Sequence, residues 1–159
     1  MRYYWDLIRH FFVSNSRHGT HSPFVYDLAS HVIYNVSRLK TDTVTVSSDF
    51  NPTYRSLLLA ILTHMDVKEL GYLGQSDHAE ALFTDLRSTS ADKIKKAVCQ
   101  GKVIIVHEPF RTRKTKRIWQ QLVQSADVVV SINLFHFGIL MYRKEQRKEN
   151  FQLRYPFWK

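Results

Sequence analysis

Glycine is scarce in this chain: five residues in 159, where average usage of about 7% would give about eleven. Glycine-rich nucleotide loops therefore have little material to draw on. Cys99 is the single cysteine. It excludes an internal disulfide and favours a reducing compartment, so a cytoplasmic location is expected. No apolar run approaches the roughly 18 residues of a spanning helix. Arg9 and His10 interrupt the apolar N-terminal stretch and no small-residue cleavage site follows it, so no signal peptide is expected. Negative charge is also short: 14 Asp and Glu stand against 23 Lys and Arg, for a net charge of +9. Such a balance favours acidic partners, whether nucleic acid, anionic lipid or a phosphorylated substrate.

Hydrophobic residues make up 44% and aromatic residues 13% of the chain, which places it among globular proteins. Its length suits one domain, residues 1–159, with one sizeable core. There is no internal repeat, low-complexity tract or linker. We expect a helical N-terminal cap over 1–64 and an α/β core over 65–159.

In the cap, Tyr4, Trp5, Ile8, Phe11 and Phe12 recur at helical spacing and predict an amphipathic helix over Arg2–Val13. Its aromatic side is expected to cover the sheet or pair with a second subunit, a membrane interface being the alternative. Ser22-Pro23 starts a second helix that runs to about Val36. Thr43 to Ser47 is a short β-rich run, and a third helix covers about Thr53 to His64. In the core, Val67 to Leu70 predicts a strand, Asp77 to Leu86 a helix, and Ala91 to Cys99 another helix capped by Ser90 and stopped by Gly101. Val103 to Val106 reads as a buried strand and Thr115 to Gln124 as a helix with Trp119 and Leu122 inward. Asp127 to Phe135 and Gly138 to Tyr142 read as a hairpin, its last strand an antiparallel edge.

Glu69-Leu70-Gly71-Tyr72-Leu73-Gly74 is a strand running into a glycine turn. Closely spaced glycines let a ligand approach the backbone, and a following helix would offer unpaired N–H groups. After Val106 stand His107 and Glu108, a candidate base or metal ligand pair. Adjacent residues on an extended chain point to opposite faces, so the two are expected to be poorly placed for one ion. No metal site is expected. Arg17 and His21, near the second helix start, either pin that loop or bind an anion. Arg111, Arg113, Lys114, Lys116 and Arg117 form a basic run that suits an acidic partner or a nucleic-acid backbone. Arg143, Lys144, Arg147 and Lys148 form a second run.

Several segments, in order, resemble a family of bacterial class I SAM-dependent O-methyltransferase-like proteins. Arg17-His18-Gly19-Thr20-His21-Ser22-Pro23-Phe24-Val25 is similar to that family's N-terminal signature. Asp49-Phe50 sits where members often carry Asp-Phe-Gly, and Glu69 to Gly74 looks like their cofactor loop with one residue missing. Lys102 to Val106, Trp119, Ile132 to Phe135, Gly138 to Leu140, Arg143 to Glu145 and Phe151 to Arg154 follow the family's final strand, helix and hairpin. The resemblance implies a Rossmann-like, mostly parallel sheet and S-adenosylmethionine (SAM) at the C-terminal strand ends, with Glu69, Gly71 and Gly74 as remnants of the cofactor site.

The chain also departs from that pattern. The family places three strand–helix units, each about 30 residues or more, between the glycine loop and the strand matching Val103 to Val106; here only residues 75–102 intervene. Asp77 and Asp85, read as helical, give no ribose-binding carboxylate, and His107-Glu108-Pro109-Phe110 replaces an acidic Asp-Asp-Ile-His-Trp stretch. The expected fold is therefore a reduced sheet of four or five strands with flanking helices and a C-terminal antiparallel hairpin. The expected function is a shortened, degenerate methyltransferase-like protein without ordinary SAM binding or catalysis. The alternatives are a minimal O-methyltransferase completed by a partner chain and using SAM, and a basic nucleic-acid-binding module. A homodimer is expected because lost internal strands would expose apolar surface and a sheet edge.

Overall fold

A computed structural model describes residues 2–14, 22–34, 43–76 and 78–155. Arg17 and His21 lie outside the described residues, as do Asp77 and residues 35–42 and 156–159. The chain is α/β with one mixed sheet of seven strands rather than four or five: β1 (Thr45–Val46), β2 (Glu69–Tyr72), β3 (Ala81–Asp85), β4 (Val103–His107), β5 (Val130–Asn133), β6 (Phe137–Met141) and β7 (Glu149–Gln152). Their spatial order is β1-β2-β3-β4-β6-β5-β7. All pairings are parallel except those of β6, which runs antiparallel to β4 and β5.

Two further expectations about the sheet are corrected. The segment read as a helix over 77–86 instead holds β3. Leu82 and Thr84 face the opposite side of the sheet from Phe83, and the β-favouring Phe83 and Thr84 fit a strand held between β2 and β4. The antiparallel strand of the hairpin is not an edge either. β6 is inserted between β4 and β5, and β7 forms the edge by adding in parallel to β5. Lys148 fastens that edge strand by donating to the carbonyls of Ser125 (2.6 Å) and Val128 (2.7 Å).

The helices divide between the two faces. α2 (Pro23–Leu28) starts at Ser22, whose hydroxyl accepts from the Val25 amide, and continues as a π-helical stretch, Ala29–Ile33. α3 (Arg55–His64) is buried from Leu57 through Leu62, because it lies between that stretch and the sheet. Its core takes in Ile105, Ile132, Phe137 and Ile139 from the strands. This core and the β1–β2 pairing cross the expected boundary at residue 64. On the other face, α4 (Ala91–Cys99) and α5 (Arg113–Gln124) pack Ile94, Val98, Trp119 and Leu122 against Leu82, Ile104, Val106 and Leu140. α5 begins at a capping box in which Thr112 and Thr115 satisfy each other's amides.

α1 (Arg2–Val13) lies across the β5–β6 turn and beside α5. Tyr3 packs on Phe135, with ring centroids 5.1 Å apart. Asp6 accepts from Lys116 Nζ at 2.6 Å, and the buried His10 faces the Asn133 carbonyl. The helix is amphipathic as expected, but its orientation is not. Tyr3, Leu7, His10 and Ser14 turn inward, while Tyr4, Trp5, Ile8 and Phe12 face out. The more polar stripe is the buried one, because it meets the backbone carbonyls and aromatic rings of the β5–β6 turn.

Candidate functional site

Six of the seven strands end on the same side of the sheet, which is where open α/β sheets build their sites. The strand ends bring together Tyr72 from β2, Asp85 from β3, His107 and Glu108 from β4, and the β5–β6 turn with His136. Tyr54, at the start of α3, reaches down to this edge. Sequence reasoning missed Tyr54, His136 and Arg87, because their contacts span the fold and leave no local spacing. It also missed Asp85 as a strand-end carboxylate once its strand had been read as a helix.

His107 and Glu108 do meet, contrary to the expectation from an extended chain. Glu108 has φ of 35°, so the backbone turns directly after β4 and the alternation stops. His107 Nε2 then lies 3.9 Å from Glu108 Oε2. The other ring nitrogen, Nδ1, is 2.5 Å from the Tyr54 hydroxyl. Burial pushes the His107 pKa down, with Glu108 and Asp85 opposing the shift. Burial also raises the Tyr54 hydroxyl, as do Glu108 and Asp85. The consistent assignment is a neutral imidazole that accepts the Tyr54 proton at Nδ1 and carries hydrogen at Nε2 towards Glu108.

Glu108 is in turn held by Arg111, at 2.9 Å. Asp85 is closed off separately: Arg87 donates to it from Nη2 (2.6 Å), Nε (2.9 Å) and the backbone amide (2.8 Å). Burial alone would raise the Asp85 pKa, but these bonds hold it below the usual carboxylate range. On the Glu108 side, Tyr3 donates to or accepts from His136 Nδ1 across 3.2 Å, and burial with Glu108 nearby pushes its pKa up to about 12. Phe83 and Phe137 wall the His107 and Tyr54 rings. The result is a polar cluster that ties α3 to the sheet through Tyr54 and His107, with Glu108 held by Arg111 and Asp85 by Arg87. Among the described residues no group of three or more His, Cys, Asp or Glu side chains is arranged to hold a metal ion.

The glycine turn is occupied in the same way. Glu69 opens β2 at the far end from the turn, and its carboxylate lies 3.0 Å from His78 Nε2. Gly74 takes φ of 89° in an exposed turn. Gly71 is needed for close approach, but what approaches is the chain itself. A Cβ there would stand 2.4 Å from the Ser76 Cβ and 3.0 Å from the Ala79 Cβ. Ser76 and Ala79 fold back over Gly71 ahead of β3, and none of the described residues between β2 and β3 is helical. The opposite face of β2 is filled by aromatic rings: Phe50 packs edge-on to Phe83 at 4.9 Å and to Tyr72 at 6.4 Å. A pocket of about 280 Å³ remains beside Gly74, lined by Leu73, Leu82, Lys93, Lys96, Ala97 and Gln100, without a carboxylate.

Gly71→Ala is therefore expected to cost about 1–3 kcal/mol, the usual range for overpacking. Urea unfolding measures it; an unchanged midpoint would mean that Ser76 and Ala79 do not sit on Gly71.

The basic run from Arg111 to Arg117 divides. Arg111 pairs with Glu108 and Lys116 with Asp6, leaving Arg113, Lys114 and Arg117 exposed on α5. The second run is partly engaged, with Arg143 stacked 4.0 Å over the Phe24 ring.

Comparison with family models, with curated proteins and with solved structures returns no match. No helix among the described residues is long and apolar enough to cross a membrane.

Proposed function

We propose that this chain is a shortened SAM-dependent methyltransferase-like protein that has given up ordinary SAM binding, and that it acts without methyl transfer, as a scaffold or ligand-binding protein. The resemblance in residues 17–25, 69–74 and 102–154 supports the ancestry, and the mostly parallel sheet is compatible with it. The observation that carries the functional reading is the self-filling at Gly71. Ser76 and Ala79 take the space over one face of β2, and Phe50, Tyr72 and Phe83 take the other. The remaining pocket of about 280 Å³ falls just below the range of about 300–1,000 Å³ typical of ligand sites. No carboxylate lines it, and Asp85 at the end of the neighbouring β3 is taken by Arg87.

The strand-end chemistry supports the same reading. A general base needs an unprotonated nitrogen within hydrogen-bond reach of substrate; in the neutral tautomer assigned above, the unprotonated Nδ1 of His107 is taken by the Tyr54 hydroxyl. A partner chain completing the pocket would first have to displace Ser76 and Ala79 from Gly71, which disfavours the minimal-enzyme alternative. Calorimetric titration with SAM tests the proposal. No saturable heat is expected at millimolar ligand, whereas micromolar affinity would overturn it.

A further inference from the structure

Five of the seven exposed large hydrophobic side chains among the described residues lie on α1. Tyr4, Trp5 and Phe12 are 67%, 70% and 76% exposed, and Ile8 and Val13 about half exposed. Single exposed hydrophobic residues need no explanation, but five on one short helix mark a contact surface. Their chemistry narrows the partner. Trp and Tyr suit the boundary between water and lipid, where the ring is buried and its polar edge stays wet. Arg2 and Arg9 flank the stripe and are exposed. The only carboxylate on α1, Asp6, is turned to Lys116. The neighbouring α5 carries no acidic residue and exposes Arg113, Lys114 and Arg117.

We propose that α1 lies in the surface of an anionic membrane, with Trp5, Ile8 and Phe12 in the interface and Arg2 and Arg9 against lipid phosphates. The charge pattern favours this occupant over a second copy of the chain. Isologous pairing through the same stripe would set Arg2 and Arg9 against each other with no free carboxylate on either helix to meet them. An anionic surface supplies the missing negative charge, and the net charge of +9 draws the whole molecule towards it. An amphipathic helix with aromatic residues on one side and arginine beside them is a suitable form for such binding. The inference does not depend on whether SAM binds.

Co-sedimentation of the full chain with lipid vesicles tests it. Neutral phosphatidylcholine vesicles are compared with vesicles containing about one-third phosphatidylglycerol, at low and high salt. Binding to the anionic vesicles is expected to be at least about tenfold tighter than to the neutral ones and to weaken with salt. Trp5→Ser with Phe12→Ser is expected to reduce it about tenfold or more. Both residues are exposed, so the variant keeps its fold, which circular dichroism verifies. Arg9→Glu, which leaves the aromatic residues in place, is expected to reduce the preference for anionic lipid. Three results would overturn the proposal: no vesicle binding by the parent chain, binding unaffected by the double substitution, or a dimer in sedimentation velocity that the double substitution dissolves. Binding to DNA or RNA in preference to anionic vesicles would also reject it.

Discussion

Gly138→Ala should be among the most damaging single-methyl additions this chain can receive, with an expected loss of about 2–3 kcal/mol or more in folding stability. Gly138 sits in β6, paired with Val106 of β4 on one side and Asn133 of β5 on the other. The strand therefore cannot shift sideways without breaking two ladders. Above it lies the Trp119 indole from α5, 4% exposed. A Cβ at position 138 would stand 2.2 Å from one ring carbon of Trp119 and 2.5 Å from the next. Either the indole or the helix must move, and both belong to the core formed with Leu122, Val106 and Leu140. Urea unfolding of the single variants Gly138→Ala and Trp119→Leu and of the double variant gives a thermodynamic cycle. The double variant is expected to be more stable than the sum of the two single losses allows. Strict additivity would mean that the ring does not rest on this glycine.

Acid should unfold the protein well above the pH at which ordinary carboxylates protonate. His10 is 6% exposed, and burial lowers its pKa from 6.5 to about 4, against the raising effect of the Asn133 carbonyl. His136 and Arg154 add to the lowering. The ring is held on both sides: Nε2–H donates to the Asn133 carbonyl at 3.3 Å, and Nδ1 lies 3.0 Å from the Ser14 hydroxyl, which itself donates to the His10 backbone carbonyl. Because the folded pKa lies below the unfolded one, the unfolded chain takes up a proton first as pH falls. Stability is full above about pH 6.5 and is lost progressively down to about pH 4, by roughly 3 kcal/mol from this group alone. His107 and His136 are shifted in the same direction by burial and steepen the slope. Asp85 acts lower, because its depressed pKa withdraws stability only as pH falls through the carboxylate range. Urea midpoints between pH 7 and 4 measure the slope, and His10→Gln is expected to flatten it. A midpoint constant over that range would contradict the placement of His10.

The expected elements that proved correct are those whose own composition decides them. Val103 to Val106 is apolar throughout and became a strand covered on both faces; Ala91–Cys99 formed the expected helix, with Gly101 at φ of 81° just beyond it. The hairpin was legible from Gly138 and the flanking β-rich runs, although its turn relies on Phe135 at φ of 69°, held by the Asn133 side chain accepting from the Phe135 amide. β3 was not legible because its helix-permissive flanks, Ala79 to Ala81 and Leu86, concealed a strand made by its neighbours. β7 was missed because Glu149–Gln152 is polar and exists by adding to β5. For α1, periodicity gave the helix but not its orientation. An apolar stripe normally turns inward, and only the contacts of Tyr3, His10 and Asp6 show that this one does not. The candidate site was half visible. His107 and Glu108 stood out as residue types, but their closure by Tyr54 and Arg111 depends on where α3 begins and on the turn at Glu108.

The central claim is that Ser76 and Ala79 on one side and Phe50 on the other fill both faces of β2 beside the glycine turn, so that the proposed ancestral cofactor has no place there. Following the backbone amides of residues 70–74 and 85–87 by nuclear magnetic resonance during a titration with SAM tests this most directly. The account predicts no saturable shift at these amides up to millimolar ligand. Saturation at micromolar SAM, centred on Gly71 and Gly74, would contradict it.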